Sequence, residues 1–128
     1  MIELNLGDGK YSMRLRAFGT DGNGLVVFLT GGEKPHLGGV SLAAIPSADN
    51  AELSNCDTWD VILPGHKDKE LARNIARQIC LATGEPVSVS AGIHIDNASG
   101  EDIKCFGRMA EEITEKFIKQ YKVIKKEI

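Results

Sequence analysis

Residues 87–98, with the sequence VSVSAGIHIDNA, constrain the fold more than any other part of the chain. Their first half alternates valine with serine, which predicts a buried strand. His94 and Asp96 are two residues apart, so on an extended backbone they lie on one face, opposite Ile93 and Ile95. The chain then turns into a helix. Polar side chains at the end of a strand, just before a helix, are typical of ligand sites in α/β layouts.

A first helix is predicted before this strand. Residues 64–67, Pro-Gly-His-Lys, open it. Gly84 ends the helix, and Pro86 prevents its continuation. Between these limits, apolar residues recur at the spacing of one helix face, namely Leu71, Ala72, Ile75, Ala76, Ile79 and Cys80.

A second helix is predicted after the strand. Ser99 and Asp102 have the spacing of a capping box, with Asp in place of the usual Glu. Apolar residues then recur at intervals of three and four over residues 103–121, which is a helical stripe. Lysines crowd the end of this segment, where the helix macrodipole favours cations.

The rest of the chain is predicted to form strands. The segments are residues 2–6, 11–18, 25–29, 40–45 and 59–63. Two helices with one-sided stripes need one sheet face to cover, so we expect an α+β fold. It is a two-layer sandwich with a mostly antiparallel sheet of five or six strands and two helices, both in the C-terminal half, on one face. The last strand follows a helix, which allows it a parallel neighbour. Ser88 and Ser90 are small, which indicates another layer packed closely on the other face.

Size and composition indicate a soluble globular protein, and we expect one domain over residues 1–128. The net charge of −3 does not favour nucleic acid or an anionic membrane as partner. No apolar run reaches the roughly 18 residues of a membrane span, and a charge near the N-terminus argues against a signal peptide. Three widely spaced cysteines, Cys56, Cys80 and Cys105, fit reduced thiols, so we expect a cytoplasmic protein.

The three histidines are the strongest candidate functional residues. His36, His66 and His94 each follow a proline or glycine within two residues, and each lies in a predicted loop or at the end of an element. Binding sites concentrate in such positions. We therefore expect these histidines, with Asp96, to meet in one site.

Two glycine-containing segments suit an anionic ligand. Residues 30–39 contain four glycines together with Lys34 and His36. This segment is longer than a hairpin loop needs. Its glycines would let the backbone approach a flat or phosphorylated ligand closely. This segment matches neither the P-loop nor the dinucleotide fingerprint. Gly65 and Lys67 stand at a helix start, where free N–H groups favour phosphate. A plain turn explains Pro64-Gly65 equally well.

Other interpretations stay open at this point. Three histidines and an aspartate would satisfy a divalent metal such as zinc, so a small metal-dependent enzyme using His36, His66, His94 and Asp96 is the alternative function. A purely structural role for the histidines is a third. The aromatic residues are interpreted as packing in the core or on the sheet rather than as stacking on a ligand; they are Tyr11, Phe18, Phe28 and Trp59.

Three motifs in this order, residues 30–39, 64–67 and 91–98, resemble the prenylated-flavin chaperone family. Its members are small accessory "D" subunits found with UbiD-type hydroxyarylic acid decarboxylases, the gallate decarboxylases among them. The resemblance implies a non-catalytic protein that binds prenylated FMN, or FMN, for such a decarboxylase. A small two-layer domain would enclose this ligand poorly, so we also expect a homodimer. Together, the residue pattern and the resemblance assign cofactor binding to Gly31, Gly32, Lys34, His36, Gly38, Gly65, His66, Lys67, His94, Asp96 and Asn97.

Overall fold

A computed structural model describes residues 1–46, 55–63 and 69–126. Their helices and strands follow the predicted order closely. The elements are β1 (Ile2–Asp8), β2 (Tyr11–Gly19), β3 (Leu25–Gly32), β4 (Gly39–Ala44), β5 (Asp57–Ile62), α1 (Lys69–Thr83), β6 (Val87–His94) and α2 (Gly100–Lys126).

The six strands form one sheet in the order β1-β2-β3-β6-β4-β5. Only the β3–β6 pair is parallel, with Leu25 opposite Val87 and Gly32 opposite His94; the other pairs are antiparallel. This pairing confirms the α+β class and the mostly antiparallel sheet. It also brings the carboxyl ends of β1, β3, β5 and β6 to one edge, which we call the upper edge.

Both helices pack on the same face of the sheet, as their apolar stripes predict. Strand residues of this covered face meet Ile79 of α1 and Ile113 and Phe117 of α2, and all three helix side chains are fully buried. Burying a side chain of this size stabilises the fold by about 1.5–3 kcal/mol. Among the described residues, the hydrophobic core therefore lies between the two helices and this covered face.

The opposite, open face carries no helix among the described residues. Side chains pointing to it form rows across the strands, one of which runs Phe18, Val26, Ser88, Leu42 and Trp59. Trp59 is 57% exposed and Phe18 52% exposed. These two aromatic side chains therefore lie on the sheet but outside the core.

The ends of the elements refine the predictions. Residues 30–32, predicted as loop, extend β3, because they pair with residues 92–94 of β6. The connection is thus the shorter segment 33–38. At α2 the capping box is confirmed, since Ser99 N donates to Asp102 Oδ2 at 3.0 Å and Asp102 N donates to Ser99 Oγ at 3.1 Å. Gly84 ends α1 with a φ of 76°, as predicted. No helix in the described ranges is both long and apolar enough to cross a membrane.

Candidate functional site

Two of the three histidines meet at the upper edge. The rings of His36 and His94 lie 5.9 Å apart between centroids and at 76°, an edge-to-face arrangement. His94 ends β6, and His36 lies on the 33–38 loop that leaves the parallel neighbour β3. The parallel pairing therefore places both imidazoles at one end of the sheet. His66 lies outside the described residues.

The 33–38 loop is bound to the end of β6 by backbone contacts. Glu33 N donates to His94 O at 2.8 Å, and Gly38 N donates to Ala91 O at 2.9 Å. Between these two bonds the loop crosses the open face directly over Gly92, where any side-chain carbon would overlap the backbone oxygen of His36. Glycine at position 92 is what allows this close approach.

A hydrogen bond joins the side chains of His94 and Asp96. The Nε2 atom of His94 lies 2.9 Å from Asp96 Oδ1, so the ring and the carboxylate share a hydrogen bond. This bond, together with the nearby positive charge of Lys34, holds the pKa of Asp96 below its ordinary value. Asp96 is therefore an anion at neutral pH that orients the His94 ring.

Beside His36, the open face forms a groove of about 470 Å³. One wall is the 33–38 loop, and the floor is the open face of β1, β2 and β3. Its lining residues are Asn5, Leu6, Gly7, Ser12, Met13, Arg14, Arg16, Phe28, Thr30, Gly31, Gly32, Pro35, His36 and Leu37.

Two arginines make the groove cationic. Arg14 Nε donates to Asn5 Oδ1 at 3.0 Å, and Arg16 Nε lies 3.3 Å from Glu3 Oε1. Glu3 also lies 3.5 Å from Arg14 Nε, so one carboxylate holds both guanidinium groups. Because each uses only its Nε in these contacts, the donors at the ends of the guanidinium groups can bind an anion.

The other predicted residues have different positions. Gly31 and Gly32 line the groove as part of β3, and Gly32 has a φ of 80°. Gly38 serves the backbone contact to β6 already described. Asn97 has a φ of 55°, which is the left-handed conformation of a turn before α2. Gly65 and Lys67, like His66, lie outside the described residues.

Arg14, Arg16 and Phe28 are site residues that the sequence analysis did not assign. The signal for the arginines was the alternation in β2, which sets Ser12, Arg14 and Arg16 on one face. Sequence alone could not show that the 33–38 loop folds over this same face. As to metal, no three His, Cys, Asp or Glu side chains of ranges 1–46, 55–63 and 69–126 are grouped as metal ligands.

Fold and site together define a two-layer α+β protein with a cationic, ligand-sized groove at the end of its parallel strand pair. A comparison with protein families gives the class its name. The family described as prenylated flavin chaperone LpdD-like domain matches residues 7–122, and the chain belongs to this family. The resemblance predicted from the sequence is thereby confirmed.

The chain was also compared with curated proteins and with solved structures. A search among curated proteins gives no match. Among solved structures, the chain is similar to one from a crystal structure of a novel chaperone complex for yeast 20S proteasome assembly, with a TM-score of 0.57 and 13% identity. The alignment covers 96% of this chain and 98% of that one. At this identity the similarity shows a shared fold only.

Proposed function

We propose that this protein binds a flavin mononucleotide cofactor, prenylated FMN, and holds it for a UbiD-type decarboxylase without catalysing a reaction itself. Membership of the prenylated flavin chaperone family supports the cofactor class. The chain then supplies binding and protection, and the decarboxylase supplies the catalytic site. A cytoplasmic location and a homodimeric state belong to the same proposal.

The observation that carries the proposal is the groove, whose size and chemistry fit such a ligand. Its volume of about 470 Å³ lies within the roughly 300–1,000 Å³ of small-molecule sites. A flavin mononucleotide combines a flat apolar ring system with a phosphate. Phe28 and Pro35 supply apolar surface for the rings, and Arg14 and Arg16 supply charge for the phosphate.

The histidines have a separate role in this proposal. His36 lines the groove, and His94 stands beside it with its orientation fixed by Asp96. An imidazole ring can donate or accept a hydrogen bond through its nitrogens, and such a ring suits the polar edge of a flavin. We include His66, Gly65 and Lys67 among the proposed contacts on the sequence argument alone.

The test is a titration of the purified protein with FMN and with prenylated FMN, followed by absorbance and flavin fluorescence. We expect saturable uptake of at least one flavin. Replacing both arginines, Arg14→Ala with Arg16→Ala, should weaken binding by roughly 100- to 10,000-fold, since each of the two charge-assisted bonds contributes about 1.5–3 kcal/mol when made. Arg108→Ala, on the exposed side of α2, is the matched control and should leave binding unchanged.

Riboflavin separates the two parts of the site because it lacks the phosphate. If the arginines bind phosphate, the double variant should bind riboflavin as the unmodified protein does. His94→Ala, in contrast, should weaken the binding of both FMN and riboflavin. Failure of the intact protein to take up any of the three flavins would exclude the proposal.

A further inference from the structure

A second cavity lies between the covered face and the end of α2, at the edge of the sheet opposite His36 and His94. Its volume is about 650 Å³, within the roughly 300–1,000 Å³ of small-molecule sites. It shares no lining residue with the groove beside His36. We call it the lower cavity, and its apolar lining includes Ile2, Ala17, Leu25, Phe117 and Ile124.

The lower cavity exists because β2 carries small residues at this end. In the middle of β2, Leu15 pairs with Leu4 of β1 and Leu29 of β3, and these three large side chains fill the covered face. Two and four residues further along the strand, the same face of β2 carries Ala17 and Gly19. The space between these residues and the end of α2 is therefore left unfilled.

A buried carboxylate holds two polar side chains at the lower cavity. This carboxylate belongs to Glu85, which is only 3% exposed. Its oxygens accept hydrogen bonds from Tyr121 Oη at 2.5 Å, from Lys125 Nζ at 3.0 Å and from Gly24 N at 3.1 Å. Burial, and next the hydrogen bond to Glu85, raises the pKa of Tyr121 to about 12, so the hydroxyl keeps its proton at neutral pH. Because Tyr121 and Lys125 both line the cavity, its polar end is fixed in place.

The polar end of the lower cavity suits a single carboxylate. The Lys125 ammonium group uses one of its three donors on Glu85, and the others can bind a ligand oxygen. Residues 116–125 carry four lysines and no acidic residue, so the local charge favours an anion. Because α2 ends here, it presents carbonyl groups rather than the free N–H groups that bind phosphate at a helix start.

We propose that the lower cavity binds a small aromatic carboxylate, with the ring against Phe117 and Tyr121 and the carboxylate on Lys125. The Phe117 and Tyr121 rings are stacked, with centroids 5.7 Å apart and planes at 19°, so they form a wall for a flat ligand. Ile2 and Leu25 supply apolar surface on the sheet side of the cavity. The proposal is independent of flavin binding, because the two cavities have different lining residues.

Isothermal titration calorimetry of the full chain with benzoate and with 2-naphthoate tests the proposal. We expect saturable binding of one molecule per chain, with a dissociation constant below about 1 mM for benzoate. 2-Naphthoate should bind about tenfold more tightly, because its second ring buries more apolar area. Benzyl alcohol, which has the ring without the carboxylate, should bind at least about tenfold more weakly than benzoate.

Two substitutions test the two ends of the lower cavity. A carbon added at Gly19 meets only Leu25 Cδ2, at 3.7 Å, so the side chain of Gly19→Leu can occupy the cavity and should abolish binding. Lys125→Met should weaken benzoate binding by about 10- to 100-fold. Lys119→Met, on the exposed side of α2, is the matched control and should leave binding unchanged. Circular dichroism melts check that all three variants fold.

Methyl NMR locates the ligand without any substitution. Benzoate should shift the methyl signals of Ile124, which lines the lower cavity, and leave those of Ile103 near the start of α2 unchanged. The double variant Arg14→Ala with Arg16→Ala should bind benzoate as the unmodified protein does, because both arginines lie in the groove.

Absence of saturable benzoate binding overturns the proposal. Binding that Gly19→Leu leaves intact, or that the double arginine variant abolishes, overturns it too, as does benzyl alcohol binding as tightly as benzoate. None of these results changes the flavin titration, so the proposed function is tested separately.

Discussion

Replacing Gly92 by alanine should displace the 33–38 loop from the sheet. The new methyl group would overlap the backbone oxygen of His36, whereas real side-chain carbons keep about 3.0 Å or more from such an atom. The strand at Gly92 is held by continuous pairing with β3 over residues 87–94, whereas the loop contacts β6 through only a few backbone hydrogen bonds. The loop is therefore the part that moves, and His36 moves with it.

The expected loss in the free energy of unfolding has two contributions. Forcing a carbon into a packed position costs about 1–3 kcal/mol. Moving the loop also breaks the 2.9 Å bond from Gly38 N to Ala91 O, which contributes about 1 kcal/mol. We expect the free energy of unfolding to fall by about 2–4 kcal/mol, which corresponds to a Tm lower by roughly 10 °C for a chain of this size. Flavin affinity should fall as well, because the wall of the groove moves.

Thermal and urea unfolding measure the stability change, and the flavin titration measures the effect on the site. Gly107→Ala is the matched control: Gly107 lies within α2, and a carbon added there meets nothing within 4 Å. This control should stabilise the protein by about 0.5–1 kcal/mol, because alanine favours helix over glycine. If Gly92→Ala unfolds at the same temperature as the unmodified protein, the account of the loop is wrong.

Two further substitutions test charged groups. Burial raises the pKa of Glu85, but hydrogen bonds from Tyr121 and Lys125 lower it more, so its net pKa lies below the ordinary 4.5. Glu85→Gln should lower the free energy of unfolding at pH 7 by about 1–3 kcal/mol. The difference should shrink below pH 4.5, as the carboxylate of the unmodified protein takes up its proton; urea melts across pH check this, and a constant difference would contradict it. At the site, His94→Ala should raise the pKa of Asp96 towards 3.8 in a carboxyl NMR titration, and an unchanged pKa would show that His94 does not set it.

The fold was predictable from residue pattern because its helices and most strands show strong periodicity. The capping box Ser99–Asp102 locates the start of α2, and the apolar stripe covers residues 103–121 of a helix that continues to Lys126. The end of β3 was missed because Gly31 and Gly32 favour loops, and their extended conformation depends on pairing with β6. Propensity cannot report a partner about sixty residues away.

The site was predictable only in part. The histidine pattern and Asp96 pointed to the upper edge, where His36 and His94 meet. The arginines of β2 are related to His36 through the path of the 33–38 loop over the open face, and that path depends on the space above Gly92. A strand pattern shows which residues share a face, but it does not show which loop crosses that face.

The parallel pairing of β3 with β6 also governs when the groove beside His36 can form during synthesis. Residues 25–32 leave the ribosome long before residues 87–94, and β4, β5 and α1 are made between them. Closing so long an intervening segment is slow, because its entropy is lost before the pairing stabilises the chain. A chain that has not yet been synthesised through β6 therefore lacks His94. It also lacks the strand to which the 33–38 loop is hydrogen-bonded. The groove beside His36 is therefore complete only after residues 87–94 have been synthesised.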